Sequence, residues 1–386
     1  MLDRRQFLAA GLVGLAAGAS PSGTRAAAGP AGRWAAAPVD AVAKLDQPGR
    51  AQCVAFSPDG RTLAAGGFDG REGGRPPSWV TTWEVGSWKP LKRFDFPDLR
   101  IGRLAFAPDG GSLVAAGIDK SQLVVCRVDT GACRTLLRDD TTGGIQSTPA
   151  FSPDGRYMIT AGPAGVILWD AADWGRVQDL PGTRERGFEV VVDPREPWVD
   201  PAPPGANFRA RAFALGAIGT LFEIHPVTIP PLRAVIPPGA RYVGPPEWGM
   251  VRVRGVERPW TAEHLALSRD GKAAAFKAWN ADGKTGSIAT FAIDEEGHWT
   301  PRVRIEPDDF PWIYTLAFAP DGRSLLAGCG TKLIRHWDLA TGRALDPLAG
   351  HEGAVLDLAT APDGWLASAG GADNTVRIWA PRRPGP

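Results

Sequence analysis

The chain is laid out as short apolar runs broken by polar turns at a recurring interval. The clearest stretch is 316–379, which holds two successive units. Each runs apolar strand, Pro-Asp-Gly turn, apolar strand, Gly-rich turn and aromatic-ended strand, with the turns beginning at Pro320 and Pro362. The same turn recurs at Pro58-Asp59-Gly60, Pro108-Asp109-Gly110 and Pro153-Asp154-Gly155, with weaker versions at Asp193-Pro194 and Arg269-Asp270-Gly271. Pro pre-sets φ at the second turn position, Asp bonds the local backbone, and Gly is favoured at the turn's end. The runs hardly alternate: Leu316-Ala317-Phe318-Ala319 is apolar throughout, as in strands packed on both faces. One such unit is a small antiparallel sheet that cannot bury itself. Units of roughly 40–50 residues stacked around an axis can, and they predict an all-β, seven-bladed β-propeller of four-stranded antiparallel blades.

The predicted blades cover 47–93, 99–138, 145–181, 187–236, 262–306, 312–348 and 350–380. The last ends on a third strand, 375–380. Residues 41–58 can be laid against 343–362, so 41–46 supply the missing outer strand, and the ring closes by pairing of its N- and C-terminal strands. Blade four is degenerate, with strands read at 188–192, 209–215, 220–225 and 232–236. Segment 193–206 interrupts it, and a Pro-rich excursion, 237–262, follows.

The last two units resemble members of the WD-repeat (WD40-repeat) family. That resemblance implies a ring over 41–380. In the family, a His after Gly, a strand Ser, a turn Asp and a strand-end Trp form a hydrogen-bonded chain through one blade. His351, Ser368, Asp373 and Trp379 match these in order, with one residue more than the family's spacing between Ser368 and Asp373. The turns between second and third strands, and those leading into each new blade, lie on one face in this family. Segments 68–78, 237–262 and 280–286 belong to that set. Their Arg71, Arg75, Trp79, Trp248, Arg252, Arg254 and Trp260 are residue types enriched at binding hot spots, and form the candidate partner-binding face.

Composition narrows the partners. Lys plus Arg number 43 against 42 for Asp plus Glu, a net charge of +1. This predicts no nucleic-acid partner. At the N-terminus, Arg4-Arg5 stand before Phe7-Leu8 and a weakly apolar Ala/Gly/Leu run, with Arg25 after it. The order resembles an exported bacterial protein with a twin-arginine signal. Residues 1–28 are read as that signal, cut after Ala28; 29–40 as a flexible leader; 381–386 as a tail. The apolar run is too short and too rich in Gly and Ala to cross about 30 Å of hydrocarbon. The expectation is a periplasmic or secreted monomer with no stable membrane span after cleavage.

Four cysteines are too few for a disulfide scaffold. Cys126 and Cys133 flank a hairpin turn. Direct opposition calls for a two-residue loop, whereas Gly131 suggests a bulged three-residue loop that offsets them onto opposite faces, so the bridge stays open. Cys53 and Cys329 read as small buried hydrophobes.

No constellation amounts to a catalytic motif, and no cofactor or metal is expected. Ser368, His351 and Asp373 invite a hydrolase reading, but no Gly-x-Ser-x-Gly elbow surrounds Ser368. His225, His264, His298, His336 and His351 form no His-x-x-x-His pair, and no Cys-x-x-Cys occurs. The glycines of 66–74 lack the Lys-Ser/Thr of a phosphate loop, and Asp282-Gly283 and Asp308-Asp309 lack the alternating ligands of a calcium loop. The expected function is a non-catalytic scaffold binding a protein or peptide outside the inner membrane. The alternative is a periplasmic propeller enzyme or small-ligand binder, lactonase-like or quinoprotein-like, acting through the central channel; ionisable side chains converging at the channel mouth would favour it.

Overall fold

The computed structural model describes residues 41–69, 77–142, 144–145, 147–162, 165–180, 189–192, 194–195, 212–215, 221–227, 247–252, 261–280, 284–295, 299–308, 312–320 and 322–380. The chain starts with β1 (Ala43–Asp46), whose sheet is completed only at the far end of the sequence. The first full sheet is β2 (Arg50–Phe56), β3 (Thr62–Phe68), β4 (Ser78–Glu84) and β5 (Pro90–Phe96). The second is β6 (Ile101–Phe106), β7 (Ser112–Gly117), β8 (Lys120–Arg127) and β9 (Cys133–Thr142). The third is β10 (Ala150–Phe151), β11 (Tyr157–Gly162), β12 (Gly165–Asp170) and β13 (Gly175–Leu180). The fourth is β14 (Glu189–Val192), β15 (Ala212–Leu215), β16 (Leu221–Val227) and β17 (Glu247–Arg252). The fifth is β18 (Thr261–Leu267), β19 (Ala273–Trp279), β20 (Gly286–Ile293) and β21 (Trp299–Ile305), and the sixth β22 (Ile313–Phe318), β23 (Ser324–Cys329), β24 (Ile334–Asp338) and β25 (Ala344–Leu348). The last is β26 (Val355–Thr360), β27 (Leu366–Gly370) and β28 (Thr375–Trp379), with β1 as its outer strand. Ala43 to Asp46 pair antiparallel with Ile378 to Thr375.

The turn chemistry is visible atom by atom. In the first blade, Ser57 Oγ donates to Asp59 Oδ1 at 2.6 Å, and Asp59 Oδ1 accepts the Arg61 N–H at 3.0 Å. Ser57 Oγ accepts the Thr62 N–H at 2.9 Å, which clips the start of β3 to the turn. Ser152 with Asp154 and Ser268 with Asp270 repeat the arrangement, each at 2.6 Å. Gly60 sits at φ +73°, where a side chain would be strained.

Packing runs from blade to blade. One apolar cluster joins Val80 and Phe94 of the first sheet to Ile101, Leu104 and Leu113 of the second. Another joins Ala275 and Ile288 of the fifth to Leu316, Leu325 and Trp337 of the sixth. A third joins Trp79 and Trp83 to Ala367, Val376 and Ile378 across the closure. Small residues on the second strands allow this approach: a Cβ at Gly328 would come within 2.9 Å of Val355 Cγ1 in the next blade.

The expectation of a seven-bladed β-propeller is corrected: the ring has six blades of the repeat, not seven. Six sheets are blades of the repeat, with four strands and packed cores among the described residues. The fourth sheet departs from it. It fills the place between β10 and β18, but its second strand is reached through 193–211 and its fourth through 228–246, with no Pro-Asp-Gly turn. Among its described side chains only Val190 is fully buried. Its outer strand is also corrected: β17 pairs Glu247 with Val227 and Arg252 with Phe222, whereas 232–236 lie outside the described residues. The apolar run nearest in sequence need not be the one that pairs, because doubling a loop costs only about 0.6 kcal/mol.

The hairpin of the second blade is corrected too. Cys126 pairs directly with Cys133, and the two are joined in a disulfide. The extra turn residues are absorbed within the turn, where Gly131 N–H donates to Arg127 O at 2.9 Å and Gly131 takes φ +82°. The ladder bulges farther along, between Leu123 and Val124, which leaves the cysteines in register. No helix among the described residues is long and apolar enough to cross a membrane.

Candidate functional site

All inner strands begin at the same end of the ring, called here the upper face. The second-to-third turns share it, while the Pro-Asp-Gly and third-to-fourth turns lie at the lower face. Just inside the upper face, five inner strands carry a β-bulge. The ladder shifts at Ala51/Cys53, Ile101/Arg103, Glu263/Ala266, Ile313/Thr315 and Val355/Asp357. A bulge leaves one residue unpaired and re-aims its neighbours. The half-buried Gln52, Tyr314 and Leu356 are the residues that the bulges leave out of the ladder in their blades. Beside them stands Trp312, 56% exposed, against Gly330 of the next turn.

Bulging brings a set of polar side chains into a girdle that the sequence reading missed. Cys53, Arg103, Thr315 and Asp357 each lie five residues before the second residue of their turn, and this shared offset is the signal that would have revealed them. Asp357 Oδ2 accepts the Val54 N–H of the first blade at 3.0 Å, while Oδ1 accepts the Leu358 N–H at 3.0 Å and the Thr315 hydroxyl at 3.4 Å. Burial pushes the Asp357 carboxyl up, opposed by the nearby Arg103 charge and by these bonds. Burial likewise pushes the Cys53 thiol far up, which makes it inert.

Ionisable groups do converge at the mouth of the fifth blade. Lys277 Nζ, on a side chain only 2% exposed, donates to Ile313 O at 3.1 Å and faces Glu263 Oε2 at 3.5 Å. It also lies 4.4 Å from the Trp279 ring centroid. His264 Nε2 stands 3.9 Å from the same Glu263 oxygen. These contacts tie blade five to blade six and occupy the Lys277 amine rather than freeing it as a nucleophile.

In the last blade, His351, Ser368, Asp373 and Trp379 form one continuous chain. Trp379 Nε1–H donates to Ser368 Oγ at 2.9 Å, Ser368 Oγ meets His351 Nε2 at 2.7 Å, and His351 Nδ1 meets Asp373 Oδ2 at 2.7 Å. Asp373 also accepts the Glu352 N–H at 2.9 Å and the Thr375 hydroxyl at 2.9 Å. Burial alone would raise the Asp373 carboxyl, but the His351 hydrogen bond and charge, with Thr375 and the Glu352 amide, hold it far below the usual carboxylate range. The turn between Gly370 and Thr375 holds Asp373, and Asn374 adopts φ +55° in it. A Cβ at Gly370 would collide with Asp373 and His351, so the turn needs glycine there. The Ser-His-Asp distances are those of a nucleophile and its base, yet Ser368 is 0% exposed and its oxygen is already bonded to Trp379. The chain ties the loop leading into the last blade to that blade's second-to-third turn, and no substrate can reach the serine.

Of the candidate partner-binding residues, Trp79 is the one whose side chain lies among those described. Trp79 is corrected to a core residue: it is 2% exposed in β4, and packing rather than partnering occupies its ring. Alternation along β4 turns it inward, whereas the sequence placed it at a loop's edge. Trp248 and Arg252 lie on β17, opposite Pro226 and Phe222, in a strand rather than an excursion. Arg71, Arg75, Arg254 and Trp260 lie outside the described residues. Among the described residues no three His, Cys, Asp or Glu side chains group as metal ligands.

Comparison with known proteins agrees with this architecture. Residues 43–71, 303–338 and 342–380 match the family model described as WD domain, G-beta repeat. An intraflagellar transport protein 122 homolog from Danio rerio is 34% identical over 87 residues, 22% of this chain and 7% of the relative. A periodic tryptophan protein 2 homolog from Neurospora crassa is 44% identical over 66 residues, 17% of this chain and 7% of the relative. Protein groucho from Drosophila melanogaster is 29% identical over 140 residues, 34% of this chain and 19% of the relative. The similarity thus spans a small part of each relative's length, and what it identifies in this chain is WD40 repeats set in a β-propeller.

Proposed function

We propose that this chain is a non-catalytic scaffold that binds a protein or peptide partner at the upper face of its ring, outside the inner membrane. The observation that carries the reading is the alignment of five bulges at one level, with exposed Trp312 beside them. Propellers of WD repeats are typical of protein-interaction scaffolds. A rigid ring loses little ordering entropy on docking, and a large aromatic side chain held open to solvent supplies contact area at low entropic cost. Export is supported by Arg4-Arg5 before the apolar run and by the Cys126–Cys133 disulfide, a bond that persists in oxidising compartments. The test is retention of partners from periplasmic extract by the wild-type chain and by Trp312→Ala/Tyr314→Ala. A partner kept by the first and lost by the second supports the scaffold; identical profiles overturn the upper-face site.

A second reading, a small-ligand or enzymatic role in the channel, draws on the convergence of Glu263, His264 and Lys277. Its test is small-ligand or substrate turnover that disappears in Glu263→Gln.

A further inference from the structure

The outer rim of the second blade carries the Cys126–Cys133 bridge, whose two halves have unlike surroundings. Cys126, on β8, is 2% exposed and packs with Phe94 and Leu113 in the apolar cluster that joins the first and second sheets. Cys133 is exposed on β9, the outermost strand of its sheet. The two are direct ladder partners, so the bridge runs across the strands from the packed third strand to the edge. A thiolate attacks a disulfide in line with the bond it breaks. Access therefore directs attack onto the Cys133 sulfur, with Cys126 as the leaving group.

Cys133 also lies beside positive charge. Its Sγ is 3.6 Å from Gly131 O, and the Lys92 ammonium reaches the same turn, donating to Asp129 O at 2.6 Å. A Cβ at Gly131 would stand 3.3 Å from Lys92 Nζ. Arg134 follows in sequence and holds its guanidinium on Asp173 O at 3.1 Å. Arg127, at the start of the turn, is matched by Asp129 at 3.2 Å and Asp109 at 4.0 Å. Neighbouring cations favour a thiolate at Cys133 and the approach of an anionic thiol. The hairpin keeps its pairing when the bridge opens, because Arg127 N–H donates to Ala132 O at 2.8 Å and Gly131 N–H to Arg127 O at 2.9 Å.

We propose that Cys133 is a reversible thiol-exchange site for a small anionic thiol such as glutathione, with Cys126 as the resolving thiol. The small thiolate attacks Cys133 Sγ, the bridge breaks, and its electron pair leaves on Cys126 Sγ, which takes up a proton. The product is a mixed disulfide at Cys133. Cys126 closes the cycle by losing that proton, attacking Cys133 Sγ and expelling the small thiolate. A second small thiolate can instead attack the sulfur of the first, which departs as its disulfide. Cys126 and Cys133 are then both thiols, and two electrons have passed to the bridge. The ladder holds Cys126 opposite Cys133, so return is fast and the adduct accumulates where Cys126 is absent.

The experiment is mass spectrometry of the full, folded chain in glutathione redox buffers, beside Cys126→Ser and Cys133→Ser. Wild type should pass between bridged and dithiol forms as the glutathione ratio changes, at a rate unaltered by denaturant well below the unfolding transition. Cys126→Ser should take one glutathione, mapped to Cys133, on the order of tenfold faster than Cys133→Ser takes any, since burial shields Cys126. The buried Cys53 and Cys329 should stay unlabelled. Lys92→Gln should slow exchange with glutathione more than with the neutral thiol 2-mercaptoethanol. The proposal is overturned by exchange that is only as fast as global unfolding, by an adduct mapped to Cys126, or by equal labelling of the two single variants. Should a serine variant fail to fold, the denaturant dependence of the wild-type rate still decides it.

Discussion

Asp357 of the last blade accepts a hydrogen bond from the Val54 backbone N–H of the first, at 3.0 Å. The bond joins two residues at opposite ends of the chain, on the inside of the same junction that β1 and β28 close on the outside. Thr315 of the sixth blade extends it by donating to the other carboxylate oxygen. Inner and outer clasps together resist opening of the ring.

Removing the inner clasp should therefore be costly. Asp357→Ala leaves the Val54 amide without its acceptor, at a cost of about 1–3 kcal/mol. Deleting 41–46 removes the outer clasp and exposes both β28 and the core behind it. Urea unfolding of the two variants checks this. Wild-type midpoints for both would show that closure lies elsewhere.

Asp373 predicts acid sensitivity. Its carboxyl titrates well below its ordinary value of 3.8 in the folded chain, so its contribution to stability is complete above that value and is lost as pH falls from there towards the folded pKa. The stability gap between wild type and Asp373→Asn should be constant near neutrality and narrow below about pH 4. Asp357 runs the other way: its raised pKa gives a contribution present at low pH and lost as pH rises through the folded value. Denaturant midpoints across an acid series for each Asn variant would separate the two.

The two tryptophans Trp79 and Trp312 should behave oppositely. Trp79→Ala opens a cavity between the first and last blades, costing about 3–5 kcal/mol. Trp312→Ala removes a mostly exposed ring and should shift stability by less than about 0.5 kcal/mol while abolishing partner retention. Thermal unfolding and the retention assay report the two effects independently.

Thiol counting tests the hairpin. Cys53 and Cys329 are the free cysteines, both buried, and Cys126 and Cys133 are bridged. Alkylation should modify no thiol in the native chain, the two free thiols after denaturation, and all four after reduction as well. Cys126→Ser/Cys133→Ser closes no loop and should lose about 2 kcal/mol. Four reactive thiols without reductant would exclude the bridge.

What the sequence by itself determined is local. Each Pro-Asp-Gly turn carries its own chemistry in three or four adjacent residues, so the repeat, the all-β class and the propeller follow without knowing any long-range contact. The same holds for His351, Ser368, Asp373 and Trp379, whose order lies within one blade. Trp79 defeats that reading because its burial depends on strands from both ends of the chain. Tertiary structure also decided that β17 rather than 232–236 completes the fourth sheet, since pairing partners are chosen by the whole sheet and loop length costs little. It decided the register that joins Cys126 to Cys133, because the compensating bulge lies away from the turn. The girdle of Arg103, Thr315 and Asp357 exists only where one blade meets the next. No single repeat contains that geometry.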